Sequence, residues 1–397
     1  MSNKMSERHY LDYNATAPLR PQVRAAMLDA LESGGANPSS VHAEGRHARA
    51  LIEKARHSIC EFVAGDADGL IFTSSGTEAC NLALQTHLAP AGKIGRILVS
   101  AIEHPAILQT AATSELPVLQ LGVDSSGQID LTALDSALQD PTPALVAIMA
   151  ANNETGAIQP IAEIGKMVRA HGSVFLCDGV QALGKMPLNM QTMHIDMLAL
   201  SAHKIGGAAG SGALLIAPHI EIKPLIYGGG QELRRRAGTE NLLGIVGFGA
   251  AIECAAQDLL TIDALAVLRD KMEAQLEKEM NRQKLAPLHF FARDIERLPN
   301  TSCFAIAGLS SETLVMALDL EGIAVSAGAA CSSGKVTASH VLTAMGVADD
   351  LVQGAIRVSL GWDSKPADID NLVACLTAFV VRQNQTYKDS QLIKAAE

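Results

Sequence analysis

The sequence predicts an α/β protein in which a mainly parallel sheet is covered by helices on both faces. Short apolar runs alternate along the chain with stretches of helical pattern, as in GLIFTS followed by GTEACNLALQTHLA. These runs lack the alternation of apolar and polar residues that marks a strand with one face in solvent. A parallel sheet with both faces buried accounts for both observations.

The predicted strands and helices follow one another through most of the chain. RILVSAIEH precedes the helix-like PAILQTAATS, and ALVAIMAANNETG precedes IAEIGKMVRAHG. Three further runs, VFLCDGVQALG, IDMLALSAHKIGG and GALLIA, complete the predicted sheet. A polar and helical stretch then spans about 255–284, and TSCFAIAG and GAIRVSLG are predicted as strands of a second, smaller layer. We therefore place a domain boundary near residue 260.

The composition supports a large core and argues against some classes of function. Of 397 residues, 48% are hydrophobic and 18% are charged, which is enough apolar material for more than one domain. Lys and Arg number 31 against 42 Asp and Glu, and the net charge of −11 argues against direct, non-specific binding to nucleic acid. No apolar run reaches the roughly 18 residues of a membrane span, and the N-terminal residues lack the apolar stretch of a secretory signal.

The cysteines predict reduced thiols in the cytoplasm. Their number is odd and none forms C-x-x-C, which argues against a disulfide framework and against a structural metal site. The seven are Cys60, Cys80, Cys177, Cys254, Cys303, Cys331 and Cys375.

Polar residues follow three of the predicted strands, and ligands bind at the carboxyl ends of parallel strands. Asp178 ends one apolar run, where it is either a functional carboxylate or a capping residue. Lys204 follows the next run beside Ser201 and His203, and a desolvated lysine there is a nucleophilic amine. His104 follows another strand end, where a capping or core histidine is the usual explanation. Of these residues, the pattern favours a function most clearly for Lys204.

The stretch FTSSGTEACN predicts a strand, a tight turn at Gly76 and a helix that begins at Thr77. Free N–H groups at a helix N-terminus suit a phosphate. Simple capping by Ser75 or Thr77 explains the same residues. In RRRAGTEN, the arginines at 234–236 form either a solvated charge run or a loop that carries Thr239 towards a phosphate.

Cys331 lies among small residues in SAGAACSSGKV, where nothing large packs against it. The stretch is not a P-loop, because Gly328 is one residue too far from Gly334 and Val336 replaces the magnesium-binding hydroxyl. A nucleophilic thiol on a mobile loop is favoured over a passive exposed cysteine, with Lys335 favouring the thiolate.

Arg357 lies within the apolar run GAIRVSLG, so its guanidinium requires a carboxylate from a substrate or from an internal Asp or Glu. The chain thus offers a phosphate cradle, an acid for a ring nitrogen, a nucleophilic amine, an arginine for a carboxylate and a thiol. Pyridoxal 5'-phosphate (PLP), which forms Schiff bases with lysine and with amino acids, requires these groups.

With these residues in place, the sequence resembles the cysteine desulfurases of the NifS/IscS type, fold-type-I PLP-dependent transferases of the class-V aminotransferase family. The resemblance covers nearly the whole chain, in the ordered motifs YLDYNATAPL, NPSSVH, SGTEACNLAL, EHPAIL, NNETGAIQPI, CDGVQALGK, SAHKIGG, GGGQE, RAGTEN, SAGAACSSG and IRVSLG. It implies a homodimer. It also implies a large PLP-binding domain over 16–260 with a mainly parallel seven-stranded sheet flanked by helices. A small α+β domain over 1–15 and 261–397 would carry the cysteine loop.

The resemblance also implies roles for the matching residues. Lys204 is expected to hold PLP covalently and to remove the substrate's Cα proton, and His104 to stack on the ring and move protons. Cys331 is expected to take the sulfur of L-cysteine as a persulfide, leaving L-alanine, and at most to be a transient iron–sulfur ligand. Asp178 is expected to contact the ring nitrogen, and Gln181 and Asn153 the side of the ring. The phosphate is expected to be bound by Gly76, Thr77, Ser201 and His203, and by Thr239 of the other subunit. The substrate carboxylate is expected to be bound by Arg357, Asn37 and Asn153.

Three small departures from the family pattern leave these roles in place: Ala329 and Ala237 where serine is common, and Gly179 where alanine is common. The persulfide acceptor is expected to be an iron–sulfur scaffold, a SufE-like carrier or a tRNA-thiolation protein. The alternatives are a selenocysteine lyase, an aminotransferase or another fold-type-I PLP enzyme, and a non-catalytic sulfur-transfer scaffold. An aminotransferase needs no thiol, and a scaffold needs neither Lys204 nor Asp178.

Overall fold

A computed structural model describes residues 8–34, 36–85, 94–328 and 338–396, with side chains up to residue 385. Its strands are β1 (His9–Tyr10), β2 (Leu70–Thr73), β3 (Arg96–Ser100), β4 (Val118–Leu121), β5 (Ala144–Met149), β6 (Val174–Asp178), β7 (Met197–Ser201), β8 (Gly212–Ile216), β9 (Leu288–Phe291), β10 (Thr301–Ile306), β11 (Ile323–Ala324), β12 (Ser326–Ala327) and β13 (Ala355–Ser359). Its α-helices are α1 (Pro21–Glu32), α2 (Ala43–Val63), α3 (Gly76–Gln85), α4 (Pro105–Ala112), α5 (Leu131–Leu138), α6 (Ile161–Ala170), α7 (Leu242–Asp258), α8 (Asp263–Arg282), α9 (Ser311–Leu320), α10 (His340–Ala344), α11 (Asp349–Gly354) and α12 (Pro366–Ala396). Each apolar run that the sequence predicts as a strand forms one.

The larger sheet has seven strands in the order β2-β8-β7-β6-β5-β3-β4. Neighbouring strands pair in parallel except at β8, which runs antiparallel to both β2 and β7. The prediction of a mainly parallel sheet is therefore confirmed, with one reversed strand that the apolar pattern does not reveal.

Both faces of the larger sheet are buried, as the uninterrupted apolar runs predict. Every residue of β5 is buried. Along that strand Val146 and Ile148 belong to the core on one face, whereas Leu145 and Ala147 belong to the core on the other. Because successive side chains of a strand point to opposite faces, a strand covered on both sides must be apolar throughout.

Helix α7 packs against α1 and α2 on one side of this sheet. A Cβ atom at Gly249 would lie 2.8 Å from the Cβ of Ala55, so the absence of a side chain lets α7 approach α2 closely. The segment Leu242–Thr261 has a mean hydropathy of 1.4, long and apolar enough to cross a membrane by length and composition. This corrects the expectation that no such stretch exists. Since 44% of that segment is buried inside the protein, packing against α1 and α2 accounts for its apolar character.

The smaller sheet has four strands in the order β12-β13-β10-β9, paired antiparallel. Helices α8 and α12 pack against each other beside it. The stretch predicted to be helical over about 255–284 is helical in the structure, where a 3-10 turn at Leu259–Thr261 divides it between the end of α7 and α8. The break has a physical reason, since α7 packs on the larger sheet and α8 on the core of the smaller one.

Candidate active site

A cavity of about 330 Å³ lies at the carboxyl ends of the parallel strands. Strands β3, β5, β6 and β7 end there, each followed by polar residues, and β13 of the smaller sheet adds one side chain from the other side. Ten of the residues predicted from the sequence line it, namely Gly76, Thr77, His104, Asn153, Asp178, Gln181, Ser201, His203, Lys204 and Arg357.

Asp178 is a buried carboxylate at the end of β6. One of its oxygens, Oδ1, accepts a hydrogen bond from the backbone N–H of Val180 at 2.9 Å. Burial raises the pKa of Asp178, and the nearby charges of His104 and Lys204 act in the opposite direction. No salt bridge to Asp178 is found among the described residues, so this carboxylate is suited to a cationic group of a ligand in the cavity.

Lys204 lies in a 3-10 turn, Ala202–Ile205, that follows β7 directly. Its Nζ donates hydrogen bonds to the carbonyl oxygens of Asn14 and Ala15 at 2.7 and 2.9 Å. The turn ends at Gly206, whose φ of 81° lies in the left-handed region that favours glycine. The N-terminal segment therefore holds the amine of Lys204 at the cavity.

His104 caps the N-terminus of α4, as the capping interpretation predicts, and it also lines the cavity. Its Nδ1 accepts a hydrogen bond from the backbone N–H of Ala106 at 3.1 Å. Burial lowers the pKa of His104, which favours the neutral ring. With Nδ1 used as an acceptor, the neutral ring carries its proton on Nε2.

Helix α3 begins at Gly76, at the edge of the cavity. A Cβ atom at Gly76 would lie 2.7 Å from Cγ2 of Val180, so glycine is needed for the close packing at this edge of the cavity. Ser75 Oγ accepts a hydrogen bond from the N–H of Glu78 at 3.2 Å, so the capping interpretation also holds. Because the first N–H groups of a helix have no partner within it, those of Gly76 and Thr77 are suited to a phosphate.

His203 and Ser201 line the same cavity. The ring of His203 is hydrogen-bonded through Nδ1 to Thr16 Oγ1 at 3.1 Å. Burial, followed by the charges of Lys204 and Lys185, lowers the pKa of His203 to about 4, so the imidazole is neutral near pH 7.

Arg357 is buried in β13 and makes contacts that the sequence leaves open. Its Nη2 forms a salt bridge with Asp12 Oδ1 at 2.8 Å, and its Nη1 donates to the carbonyl oxygen of Asn153 at 3.0 Å. Its Nε is buried without a hydrogen-bond partner among the described residues. An internal carboxylate thus accompanies Arg357, and one N–H remains for a ligand.

Two predicted residues of the described chain lie away from the cavity. Asn37 is exposed, and its Oδ1 accepts a hydrogen bond from the N–H of Ser39 within a local turn. Thr239 is exposed as well. In the neighbouring arginine run, Arg236 forms a salt bridge with Glu78 at 2.9 Å. Cys331, with Ala329, Gly334, Lys335 and Val336, lies outside the described residues.

The six described cysteines are free. Burial raises the pKa of each of these thiols, to about 11 for Cys60 and well above the ordinary value for Cys80 and Cys177. A thiol with a raised pKa is a poor nucleophile at neutral pH. Cys80 lines the cavity, but its burial makes it an unreactive wall residue.

Glu154 is a buried acid that the sequence does not single out. Ser339 Oγ donates a hydrogen bond to its Oε2 at 2.5 Å, and a Cβ atom at Gly328 would lie 3.1 Å from the same oxygen. Burial raises the pKa of Glu154 to about 7, against smaller opposing effects of Ser339 and Arg357. Glu154 therefore contacts the chain on both sides of residues 329–337.

Sequence reasoning missed several further residues at the cavity. Asn14, Ala15, Ser75 and Cys80 line it, and Asp12 reaches it through Arg357. Asn14 and Asp12 stand in YLDYNATAPL, next to the two-residue strand β1. No local pattern marks them, because β1 has only two residues and their partners Arg357 and Lys185 lie far away along the chain.

The groups around the cavity fit a phosphorylated ring with an aldehyde. A carboxylate, an amine, two neutral imidazoles and a helix N-terminus with a close-packed glycine face the same space. The Nε of Arg357, which has no hydrogen-bond partner among the described residues, adds a position for a carboxylate.

The sequence matches the family model for class-V aminotransferases over residues 9–372. It is 40% identical over 371 residues to the cysteine desulfurase IscS of Dictyoglomus turgidum, covering 92% of this chain and 93% of that protein. It is also 40% identical over 379 residues to a cysteine desulfurase of Cereibacter sphaeroides, covering 94% of this chain and 96% of that protein. The structure of a NifS-like protein from Rickettsia africae superposes with a TM-score of 0.81 at 34% identity, over 93% of this chain and 98% of its own. The likeness thus extends over both sheets.

Proposed function

Because this chain belongs to the class-V aminotransferase family and is a cysteine desulfurase that uses PLP, we propose that Cys331 is the thiol that receives the sulfur of L-cysteine. The observation that carries the assignment of the site is the cavity in which Asp178, Lys204 and Arg357 converge from different strands. This arrangement offers an amine, an acid and a carboxylate anchor within one small volume.

We assign the cofactor to the residues of the larger sheet. When bound, PLP supplies a conjugated ring that accepts the electron pair released at the substrate's Cα. Lys204 holds the cofactor through Nζ, and the Asp178 carboxylate stabilises a protonated ring nitrogen. The N–H groups of Gly76 and Thr77 bind the phosphate, together with Ser201 and His203.

We assign the substrate carboxylate to Arg357 and Asn153, with Asn37 as a further candidate. The Nε of Arg357, unpartnered within the described part of the chain, is one donor for this carboxylate. Once the amine of the substrate has displaced Lys204 from the cofactor, the free Nζ would remove the Cα proton, with the carbonyl oxygens of Asn14 and Ala15 holding it at the cavity. His104 holds a proton at Nε2 for the later protonation of carbon.

The sulfur transfer needs no oxidant or reductant besides the substrate and Cys331. The thiolate of Cys331 attacks the substrate sulfur, and an S–S bond forms as the Cβ–S bond breaks. The electron pair of the broken bond goes to Cβ, which takes up a proton, supplied by His104 Nε2, and becomes the methyl group of L-alanine. The product on the enzyme is a persulfide of Cys331. An acceptor protein, such as an iron–sulfur scaffold, then receives this sulfur.

We further propose a cytoplasmic homodimer in which Thr239 completes the phosphate site of the other subunit. Thr239 is exposed and lies away from the cavity of its own chain. Its segment also exposes the apolar side chains Leu225, Ile226, Tyr227 and Leu233, which a second copy would cover. The domain division, with a large domain over 16–260 and a small domain over 1–15 and 261–397, belongs to this proposal.

The role of Cys331 is tested by Cys331→Ala, with Cys254→Ala as the matched control because Cys254 lies on α7, away from the cavity. L-alanine formed from L-cysteine is measured on PLP-loaded enzyme with a thiol reductant. We expect Cys331→Ala to lose alanine formation and Cys254→Ala to keep it. Alanine formation at the wild-type rate by Cys331→Ala would falsify the proposal.

The role of Thr239 is tested by mixing two inactive variants. In a mixed dimer, the Thr239→Val subunit keeps Lys204 and the Lys204→Ala subunit keeps Thr239. If Thr239 acts across the interface, one of the two sites therefore has both residues and activity returns. If Thr239 acts within its own chain, no site in the mixed dimer is intact and the mixture stays as inactive as its parts.

A further inference from the structure

Lys185 is a buried lysine beside the cavity that the proposed reaction does not use. Its Nζ donates hydrogen bonds to Asn14 Oδ1 at 2.9 Å and to Gln181 Oε1 at 2.8 Å. No ion pair joins Lys185 to a carboxylate among the described residues. A buried ammonium without a carboxylate is costly, so packing alone does not explain a lysine at this position.

Burial, followed by the charges of Lys204 and Arg357, lowers the pKa of Lys185 well below its ordinary value. A neutral lysine amine has two N–H donors. The oxygens of Asn14 and Gln181 match both of them. The number of acceptors thus matches the two donors of the neutral amine, the form that burial favours.

Two contacts together fix which way the amide of Gln181 points, one with the amine of Lys185 and one with the main-chain oxygen of Asn14. The two ends of an amide have nearly the same shape, so hydrogen bonds determine their orientation. Because Oε1 accepts from Lys185, Nε2 lies at the other end and donates to the carbonyl oxygen of Asn14 at 2.9 Å. Nε2 carries a second N–H, and Gln181 lines the cavity. Gln181 therefore offers a ligand a donor rather than an acceptor.

The contact with Asn14 fixes the segment that holds Lys204. Asn14 Oδ1 accepts from Lys185 and from Asn300 Nδ2 at 3.1 Å, while Asn14 Nδ2 donates to Thr301 Oγ1 at 2.9 Å. The main-chain oxygen of the same residue accepts from Lys204 Nζ. Lys185 is thus connected to Lys204 through one residue.

We propose that Lys185 is a positioning residue, whose amine sets the amide of Gln181 with its donor towards the cofactor and fixes the Asn14 carbonyl that holds Lys204. This inference rests on the proposed roles of Lys204 and Gln181. The ligand atom that suits the Gln181 donor is the phenolic oxygen of PLP, an acceptor that is anionic when the cofactor has lost its proton.

The test is Lys185→Met, which keeps an unbranched side chain only one atom shorter than lysine and removes both donors. The matched control is Lys166→Met, because Lys166 is an exposed lysine on α6. The readout is the pH midpoint of the visible absorption of PLP-loaded enzyme without substrate. A donor to the phenolic oxygen favours its anionic form, so we expect Lys185→Met to raise the midpoint by about half a pH unit or more relative to Lys166→Met.

A second pair of variants separates positioning from a general structural effect. In a Gln181→Leu background, adding Lys185→Met is expected to shift the midpoint much less, since the residue through which Lys185 acts is gone. Asp178, His104, His203, Lys204 and Arg357, the charged or titratable groups around the cavity, are unchanged in all of these variants. Equal shifts in both backgrounds, or no shift in either, would overturn the proposal.

Lys185→Gln serves as the partial replacement, because its amide keeps N–H donors on a shorter side chain. We expect its midpoint to lie between those of the wild type and Lys185→Met. If Lys185→Met fails to fold, Lys185→Gln is measured in both backgrounds with the same two expectations. Failure of the proposed function would be seen separately, as PLP-loaded wild type that forms no alanine from L-cysteine, because the midpoint is measured without substrate.

Discussion

The two sides of the cavity are built in different ways. The larger sheet supplies Asp178 and Lys204 at or just after the ends of its strands. The smaller sheet supplies Arg357 from the middle of β13, with the partly exposed Asp12 as its salt-bridge partner. The first arrangement places its functional side chains at one edge of a sheet that is packed on both faces. In the second arrangement, the long side chain of Arg357 reaches the cavity from a buried strand. The cofactor chemistry and the carboxylate anchor therefore belong to different layers, and substitutions on the two sides are expected to fail in different ways.

The largest expected effect is that of Lys204→Ala on the side of the larger sheet. Loss of the amine removes both the covalent attachment of PLP and the base, so we expect alanine formation to fall by roughly 1000-fold or more. Borohydride reduction should fix PLP to the wild type and not to the variant, as measured by mass spectrometry. Covalent labelling of the variant at the wild-type level would place the attachment elsewhere.

Asp178→Asn tests the same side with an intact lysine. Without a carboxylate, a protonated ring nitrogen loses its stabilising charge, and we expect kcat to fall by about 100-fold with a smaller change in KM. Steady-state kinetics on PLP-loaded enzyme measure both constants. A change confined to KM would show that Asp178 acts on the substrate rather than on the cofactor.

Arg357→Lys tests the side of the smaller sheet. Lysine keeps the charge but loses the planar fork, so we expect KM for L-cysteine to rise by about 10-fold. The visible spectrum of bound PLP should remain that of the wild type, since Arg357 belongs to the other layer. A changed spectrum without substrate would break the division between the two sides.

Glu154→Gln is expected to have the smallest effect on the reaction and a measurable effect on the pH dependence of stability. Burial raises the pKa of Glu154 from 4.5 to about 7, so its contribution to stability is fully present below pH 4.5 and is lost as the pH rises through about 7. Glu154→Gln has no carboxyl group to ionise at this position, so it does not lose stability in this way as the pH rises. The free energy of unfolding of Glu154→Gln relative to wild type should therefore increase between about pH 5 and about pH 8, by at most roughly 3 kcal/mol.

Urea unfolding of both proteins at the two pH values measures this difference. A difference between variant and wild type that is independent of pH would show that Glu154 does not titrate in the folded state in this range. A difference of the opposite sign would mean that Glu154 is held ionised, with Arg357 outweighing burial.

The sequence predicts the larger sheet and the residues at its strand ends because both leave a local pattern. Asp178 and Lys204 each follow an apolar run directly, so the strand and its functional residue are found together. Asp12 and Asn14 leave no such pattern, since their partners Arg357 and Lys185 lie far away along the chain. Strands β1, β11 and β12 have two residues each, too few for any periodicity. The contacts between residues far apart in the chain, such as Asp12 with Arg357, are therefore seen only in the structure.

Asp12 has a consequence beyond its contact with the guanidinium. Its Oδ1 accepts from Arg357 Nη2, and its Oδ2 accepts from Ser326 Oγ at 2.8 Å. Ser326 is the first residue of the stretch SAGAACSSGKV, which carries Cys331. A substrate carboxylate that draws Arg357 towards itself weakens the salt bridge between Arg357 and Asp12. Because Asp12 also binds Ser326, binding of the substrate carboxylate and the position of Ser326 are thermodynamically linked. By reciprocity, whatever holds Ser326 in place also changes the affinity for the amino acid.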